Sequence, residues 1–189
     1  EGADVDEMVE LLGRMGVRVN ASVIPGLSPQ AAARYRAASV QVVADTTAWR
    51  PLIERALYGL DLRTLSPPPP WGLARSLAWL REVAASVDRA SECAEVLRAL
   101  APGIARFAER KEEARGLAVG LVVGPEHVAR LRDPALFYGM PLVSLVQEMG
   151  FSLRIALFAG DPGAASRAER DLRELLDGPG DVARFTEPA

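Results

Sequence analysis

Two short apolar runs, Leu117 to Val123 and Leu153 to Ala159, are each followed by a glycine, Gly124 and Gly160, and the apolar residues between them return at helical spacing. The pattern strand, helix, strand constrains this chain more than any other feature. Within each run apolar residues stand at consecutive positions rather than in strict alternation, which predicts strands covered on both faces, as in a parallel sheet sandwiched by helices. A parallel pair needs a crossover connection, and the intervening helix supplies it in the right-handed sense. The expected fold class is α/β, with parallel sheets flanked by helices.

The rest of the chain repeats the alternation. Asp4 to Met15 carries an apolar face behind an acidic first turn and is stopped by Gly16, so a helix is expected there. Val17 to Ile24 reads as a strand, Pro25-Gly26 as a turn, and Ser28-Pro29 as the cap of a helix reaching about Ala38. Val40 to Ala44 reads as a strand, and Ala48 to Tyr58, capped by Thr46 or Thr47, as a helix ended by Gly59. Leu60 to Leu65 follows as a third strand. It leads into Ser66 and four prolines, which hold an extended polyproline conformation and fix the position of Trp71. A helix over Leu73 to Val87 and another over Asp88 to Leu100 come next, with Pro102-Gly103 expected to break the second before a charged helix from Ile104 to Arg115. Charge density peaks in this last stretch, which places the expected boundary between two units, 1–112 and 113–189, at that point. Beyond Gly160 a turn, a helix over Ala164 to Leu176 and a short strand over Val182 to Phe185 complete the reading.

Several function classes can be set aside on composition. With 49% hydrophobic and 25% charged residues the chain has the make-up of a globular protein, and no apolar run approaches the roughly 18 to 20 residues of a membrane helix. No signal-type segment opens it, so a cytoplasmic location is expected. The chain starts on Glu1-Gly2 without an initiator methionine, and it is expected to be a piece of something longer. Net charge is −3 and the arginines are interleaved with acids, which argues against nucleic acid as a partner. One cysteine, Cys93, and one histidine, His127, fall short of a zinc site or an iron-sulfur cluster, so no metal site and no resident cofactor are expected within this segment.

Candidate ligand-contacting residues sit where open parallel sheets bind ligands, at the C-terminal ends of strands. Gly124, Glu126 and His127 follow the first apolar run. The histidine suits proton transfer or ligation, or is a partly exposed residue of a helix's first turn, and Glu126 likewise contacts a ligand or caps the helix N-terminus. Asp161, in Gly160-Asp-Pro-Gly163, belongs to a turn that either offers backbone N–H groups to an anion or is a plain turn. Trp71 flanks a planar ligand or a partner surface, or caps the core beneath its proline loop. Cys93 lies on an apolar helical face with Ala90, Val96, Leu97 and Leu100 and reads as a small hydrophobe. No dinucleotide fingerprint and no nucleophile elbow are present, and the catalytic residues stay unknown.

The segment DVDEMVELLGRMGVRVNASVIPGLSPQ resembles the central domain of nitrogenase component 1 proteins, with its acidic start, its helix running into Gly16-Val17, its strand and its P-G-x-S loop. Ala33 to Asp45 and YGLDLRTLSPPPPWGLARSLAWLREVA extend the likeness. GLAVGLVVGPEHVARL and LFYGMPLVSLVQEMGFSLRIALFAGDP are similar to the domain that follows in the family. The resemblance implies two Rossmann-like units and part of an oxidoreductase subunit. Such a subunit receives electrons from an ATP-dependent iron-sulfur reductase protein, pairs with a homologous subunit, and holds a tetrapyrrole or metal-cluster substrate in a cleft between domains. It also implies an iron-sulfur cluster in the full-length protein, ligated from an N-terminal domain outside this segment. A second reading keeps the fold without redox centres, as a non-catalytic α/β binding or scaffold module. A third, a small-molecule transferase using the same strand-end loops, stays open on fold alone.

Overall fold

The computed structural model describes residues 3–22, 30, 34, 35, 37–43, 50–59, 62–137, 139–176 and 181–185. They divide into two compact units, the first ending at Pro102 and the second continuing from Gly103.

In the first unit, helix α1 (Ala3–Arg14) turns Leu12, and the adjoining Met15, into a core completed by Leu80, Val83, Ala84, Cys93 and Val96. Its end is a Schellman motif. Gly16 takes the left-handed conformation (φ 73°), its N–H bonds to the Gly13 carbonyl at 2.9 Å, and the Val17 N–H bonds to the Leu12 carbonyl at 2.9 Å. Val17 then packs on the same core as Leu12, the apolar contact that accompanies this cap. Residues 17–22 do not form the strand expected to start at Val17. Val23, Ile24 and the Pro25-Gly26 turn lie outside the described residues, as do Thr46 and Thr47.

Strand β1 (Val40–Val42) and strand β2 (Arg63–Leu65) pair in parallel, in the register Val40 with Arg63 and Val42 with Leu65, with helix α2 (Arg50–Leu57) between them in sequence. The proline loop leads to helix α3 (Leu73–Ser86), which buries Leu80, Val83 and Ala84. Helix α4 (Ala90–Ala114) runs through Pro102 without stopping, so the break expected at Pro102-Gly103 does not occur. Proline withdraws one backbone donor and frees the carbonyl four residues back, that of Arg98. Both residues are on the exposed face of α4, where a carbonyl without its helical donor is not shut away from solvent.

The second unit holds a three-stranded parallel sheet of β3 (Ala118–Val123), β4 (Ser152–Phe158) and β5 (Asp181–Phe185), in the order β3-β4-β5. Helices α5 (Val128–Arg132) and α6 (Leu142–Glu148) connect the first pair, and α7 (Pro162–Leu175) connects the second. Val123, Leu153, Ile155 and Leu157 point into one core with Val128, Val143, Val146, Ala165, Ala168 and Leu172. Gly150 closes α6 in a second Schellman arrangement (φ 91°), and a Cβ placed there would meet the Lys111 carbonyl, so only glycine fits.

The α/β class with parallel strands and flanking helices is observed. Coverage of both sheet faces is not. Exposure alternates along β4, with Leu153, Ile155 and Leu157 buried and Ser152, Arg154 and Phe158 exposed, and β3 alternates likewise. Topology gives the reason: strands added in sequence order through right-handed crossovers place every connecting helix on the same face. Among the described residues, no helix is long and apolar enough to cross a membrane.

Candidate functional site

The C-terminal rim of the second sheet carries two turns built differently. After β3 the backbone passes through Gly124 in an extended conformation (φ −83°, ψ 155°) and enters a short 3₁₀ turn, Pro125–His127, with proline at its start and no side-chain cap. The Glu126 carboxylate folds back over Gly124, in the space a Cβ would otherwise occupy. His127 Nε2 lies 3.5 Å from Glu126 Oε1, and both side chains are more than half exposed. An imidazole and a carboxylate thus stand side by side at a strand end, open to solvent, a pairing able to bind a ligand's polar group or pass a proton.

After β4 the chain passes the buried Ala159 and Gly160 to Asp161, the N-cap of α7. The Asp161 carboxylate accepts hydrogen bonds from the Ala164 N–H at 2.7 Å and the Gly163 N–H at 3.3 Å. Those two bonds, that of Ala164 foremost, hold its carboxyl below the usual carboxylate range. The backbone donors that would attract an anion at this helix end are therefore taken by the chain's own side chain.

Between α5 and α7 lies an open cleft of about 620 Å³ bordered by Glu126, Val128 and Arg132 on one side and by Ala164, Arg167 and Asp171 on the other; Gly124, His127 and Asp161 are not part of its lining. Arg132 ties α5 to α7 through Asp171 at 3.2 Å and Glu174 at 3.7 Å. Arg132, Arg167 and Asp171 were not among the residues singled out from sequence. Helix α5 is one and a half turns long, and its partners come from a helix beyond the next strand, so no local pattern announces them.

Of the predicted residues, the structure groups Gly124, Glu126 and His127 in one turn and sets Asp161 on the neighbouring strand end of the same unit. Trp71 belongs to the first unit. Its loop is fixed by Pro67, fully buried, by the bond from Ser76 Oγ to the Pro70 carbonyl at 2.8 Å, and by Gly72 at φ 83°. The indole is 39% exposed, which leaves a flat aromatic surface at the end of a stiff loop.

Cys93 is 2% exposed within the first core, and burial pushes its thiol up. A cluster ligand must be a thiolate, reachable and accompanied by others. Cys93 meets none of these conditions, and among the described residues no three His, Cys, Asp or Glu side chains converge as metal ligands. The residues of this segment do not fit an iron-sulfur cluster, and no chemical step is derived through one.

Parallel strands, crossover helices and a cleft at the strand ends define an α/β protein of the Rossmann-like kind. Residues 1–171 match the family described as "Nitrogenase component 1 type Oxidoreductase", and the chain belongs to that family. A solved structure described as "Nitrogenase Cp1 at pH 6.5" shares the fold, with a TM-score of 0.57 and 16% identity, over 96% of this chain and 35% of its own. The chain thus spans about a third of the length of that protein. No curated protein matches it at a significant level.

Proposed function

We propose that this chain is an α/β binding or scaffold module of the nitrogenase component 1 family, one that shapes a ligand cleft without itself ligating a redox centre. The observation that supports this reading is the cleft of about 620 Å³ that Glu126 borders just beyond the end of β3, while the single cysteine is sealed in the core of the other unit. In the second unit the residues proposed to meet a ligand are Gly124, Glu126 and His127, with Asp161 at the neighbouring strand end; in the first unit, taken by itself, Trp71 is proposed to meet one. Their part is positioning: the carboxylate and imidazole orient polar groups of the ligand. The two Rossmann-like units of this reading are 1–112 and 113–189.

Family membership supports a second reading, in which the same module is part of a reductase subunit. The longer protein would then bind a cluster through residues outside this segment, pair with a homologous subunit and receive electrons from an ATP-dependent iron-sulfur protein. The substrate class implied is a tetrapyrrole or a metal cluster. One preparation separates the two readings. The longer polypeptide made without oxygen is colourless and iron-free if the chain is a scaffold, and brown with several irons per chain if it is reductase machinery. For the ligand cleft itself, titration with a porphyrin dicarboxylate is expected to show saturable binding that His127→Ala weakens by about tenfold, a loss of about 1.4 kcal/mol. Absence of saturable binding, or equal affinity in wild type and variant, would remove the assignment of this rim.

A further inference from the structure

In the first unit a small open cavity of about 140 Å³ is lined, among the described residues, by Arg18, Val19, Asn20, Arg34 and Ala37. This lining holds two arginines and an amide, and no acid. Elsewhere arginines meet carboxylates: Arg89, Arg110, Arg115, Arg132 and Arg173 each stand 2.6 to 3.2 Å from one, whereas Arg18 and Arg34 have no such partner among the described residues. In a chain with 25 acidic residues against 22 basic ones, two guanidinium groups brought to one cavity without an acid form an arrangement that charge repulsion disfavours.

Local structure aims these groups. The cap at Gly16 and the packing of Val17 on the core fix the chain immediately before Arg18. The Arg18 Nε–H donates to Asn20 Oδ1 at 3.1 Å. That bond engages one side of the guanidinium and leaves both Nη groups, whose parallel N–H bonds suit two oxygens of one anion. It also orients the amide: Asn20 accepts through Oδ1 and keeps the N–H bonds of Nδ2 to donate. Arg34 and Ala37 come from the segment that follows, where the Ala37 N–H bonds to the Arg34 carbonyl at 3.1 Å and closes a turn that places both beside the cavity. Alanine at 37 leaves the space next to Arg34 unfilled. What the described lining offers a ligand is positive charge and hydrogen-bond donors.

We propose that this cavity binds a dianionic phosphate group, as free phosphate or as the end of a small phosphate monoester. Volume sets the size: 140 Å³ is below the roughly 300 to 1,000 Å³ of sites that enclose a whole small molecule, so the cavity takes one group and leaves the rest of the ligand outside. Donors set the kind. The Nη groups of Arg18, the guanidinium of Arg34 and the Asn20 amide together offer more than the two oxygens of a carboxylate can use, and they match three terminal oxygens carrying a charge of about −1.5 to −2. The bound anion in turn removes the repulsion between the two guanidinium groups. This site lies in the first unit and is independent of the reading given to the rim of the second sheet.

Calorimetric titration at constant ionic strength tests the proposal, with inorganic phosphate, glycerol phosphate and acetate as probes. Both phosphates are expected to bind saturably at one site, and acetate at least about tenfold more weakly. Tighter binding of glycerol phosphate identifies a monoester as the ligand, and equal binding identifies free phosphate. Arg18→Gln and Arg34→Gln are each expected to weaken phosphate binding by about tenfold or more, the loss of a charge-assisted hydrogen bond. Arg106→Gln, which removes an exposed arginine of the second unit, is expected to change nothing. In chloride alone, Arg34→Gln is expected to melt at or above the wild-type temperature, because it relieves repulsion. Absence of saturable phosphate binding would overturn the proposal, as would acetate binding equally well. An equal loss in Arg106→Gln, which reports only diffuse charge, would do the same. So would a lower melting temperature of Arg34→Gln in chloride, the sign of a guanidinium already paired within the protein.

Discussion

The two turns at the rim of the second sheet have similar positions and opposite economies. Asp161, after β4, spends its carboxylate on the first N–H groups of α7, and the turn is complete in itself. Glu126 and His127, after β3, begin a helical segment that no side chain caps, and their polar atoms find mainly each other and water. The contrast separates two kinds of polar residue that sequence inspection treats alike. A carboxylate one residue beyond a strand-end glycine has a structural duty when the next helix is long, as the fourteen-residue α7 is. Where the next helical segment is short, the polar groups are left for something else.

Experiments can break this contrast in order of expected effect. Removing the support shared by both turns is the most damaging change: Leu157→Ala or Leu172→Ala, both at 0% exposure, is expected to cost about 2 to 5 kcal/mol in chemical denaturation. Small losses at both sites would show that the second unit lacks the close-packed core described above. Gly150→Ala comes next. The left-handed backbone alone makes it unfavourable by about 1 to 2 kcal/mol, and the Lys111 carbonyl adds a steric penalty that a flexible side chain would not.

Asp161→Ala is expected to lower the melting temperature by a few degrees at neutral pH, as loss of a helix cap does. Its pH dependence follows from the depressed carboxyl. The folded pKa lies below the unfolded one, so the contribution is fully present above about pH 4 and is lost as pH falls through the folded value. The wild type and the variant should therefore converge in acid; a difference that persisted to pH 2 would mean that the carboxylate is not the stabilising group. Gly124→Ala sits at the bottom of the scale. At φ −83° alanine is unstrained, and only the mobile end of Glu126 has to move. Stability should stay within about 0.5 kcal/mol of wild type, while binding at the rim changes. If it unfolds the protein instead, Gly124 is a packing residue and the rim loses its distinction.

Much of the architecture was legible because it rests on local rules. Gly16 ends a helix by taking a conformation that other residues resist. The run from Leu153 to Ala159 announces a strand, and the turn at Asp161-Pro162-Gly163 announces a helix close behind it. What escaped was of two kinds. Consecutive apolar residues along β3 and β4 suggested two covered faces, yet Val122 and Phe158 are bare, since apolar character records what a face is suited to meet and not what lies on it in this segment. Pro102 suggested a break, yet an exposed carbonyl tolerates the loss of its donor. The cleft itself was half visible: the strand-end position of Glu126 and His127 could be inferred, whereas the Arg132 to Asp171 tie depends on two helices brought together by the sheet.

The sequence by itself determined the α/β alternation, that the strands run parallel, and that one thiol cannot assemble a cluster. These follow from backbone sterics, side-chain spacing and residue counts, which act within a few positions along the chain or need no geometry at all. Only the tertiary structure decided which face of the second sheet is covered. That depends on the direction in which strands add to a sheet, and the handedness of the crossover carries that information through space rather than along the chain.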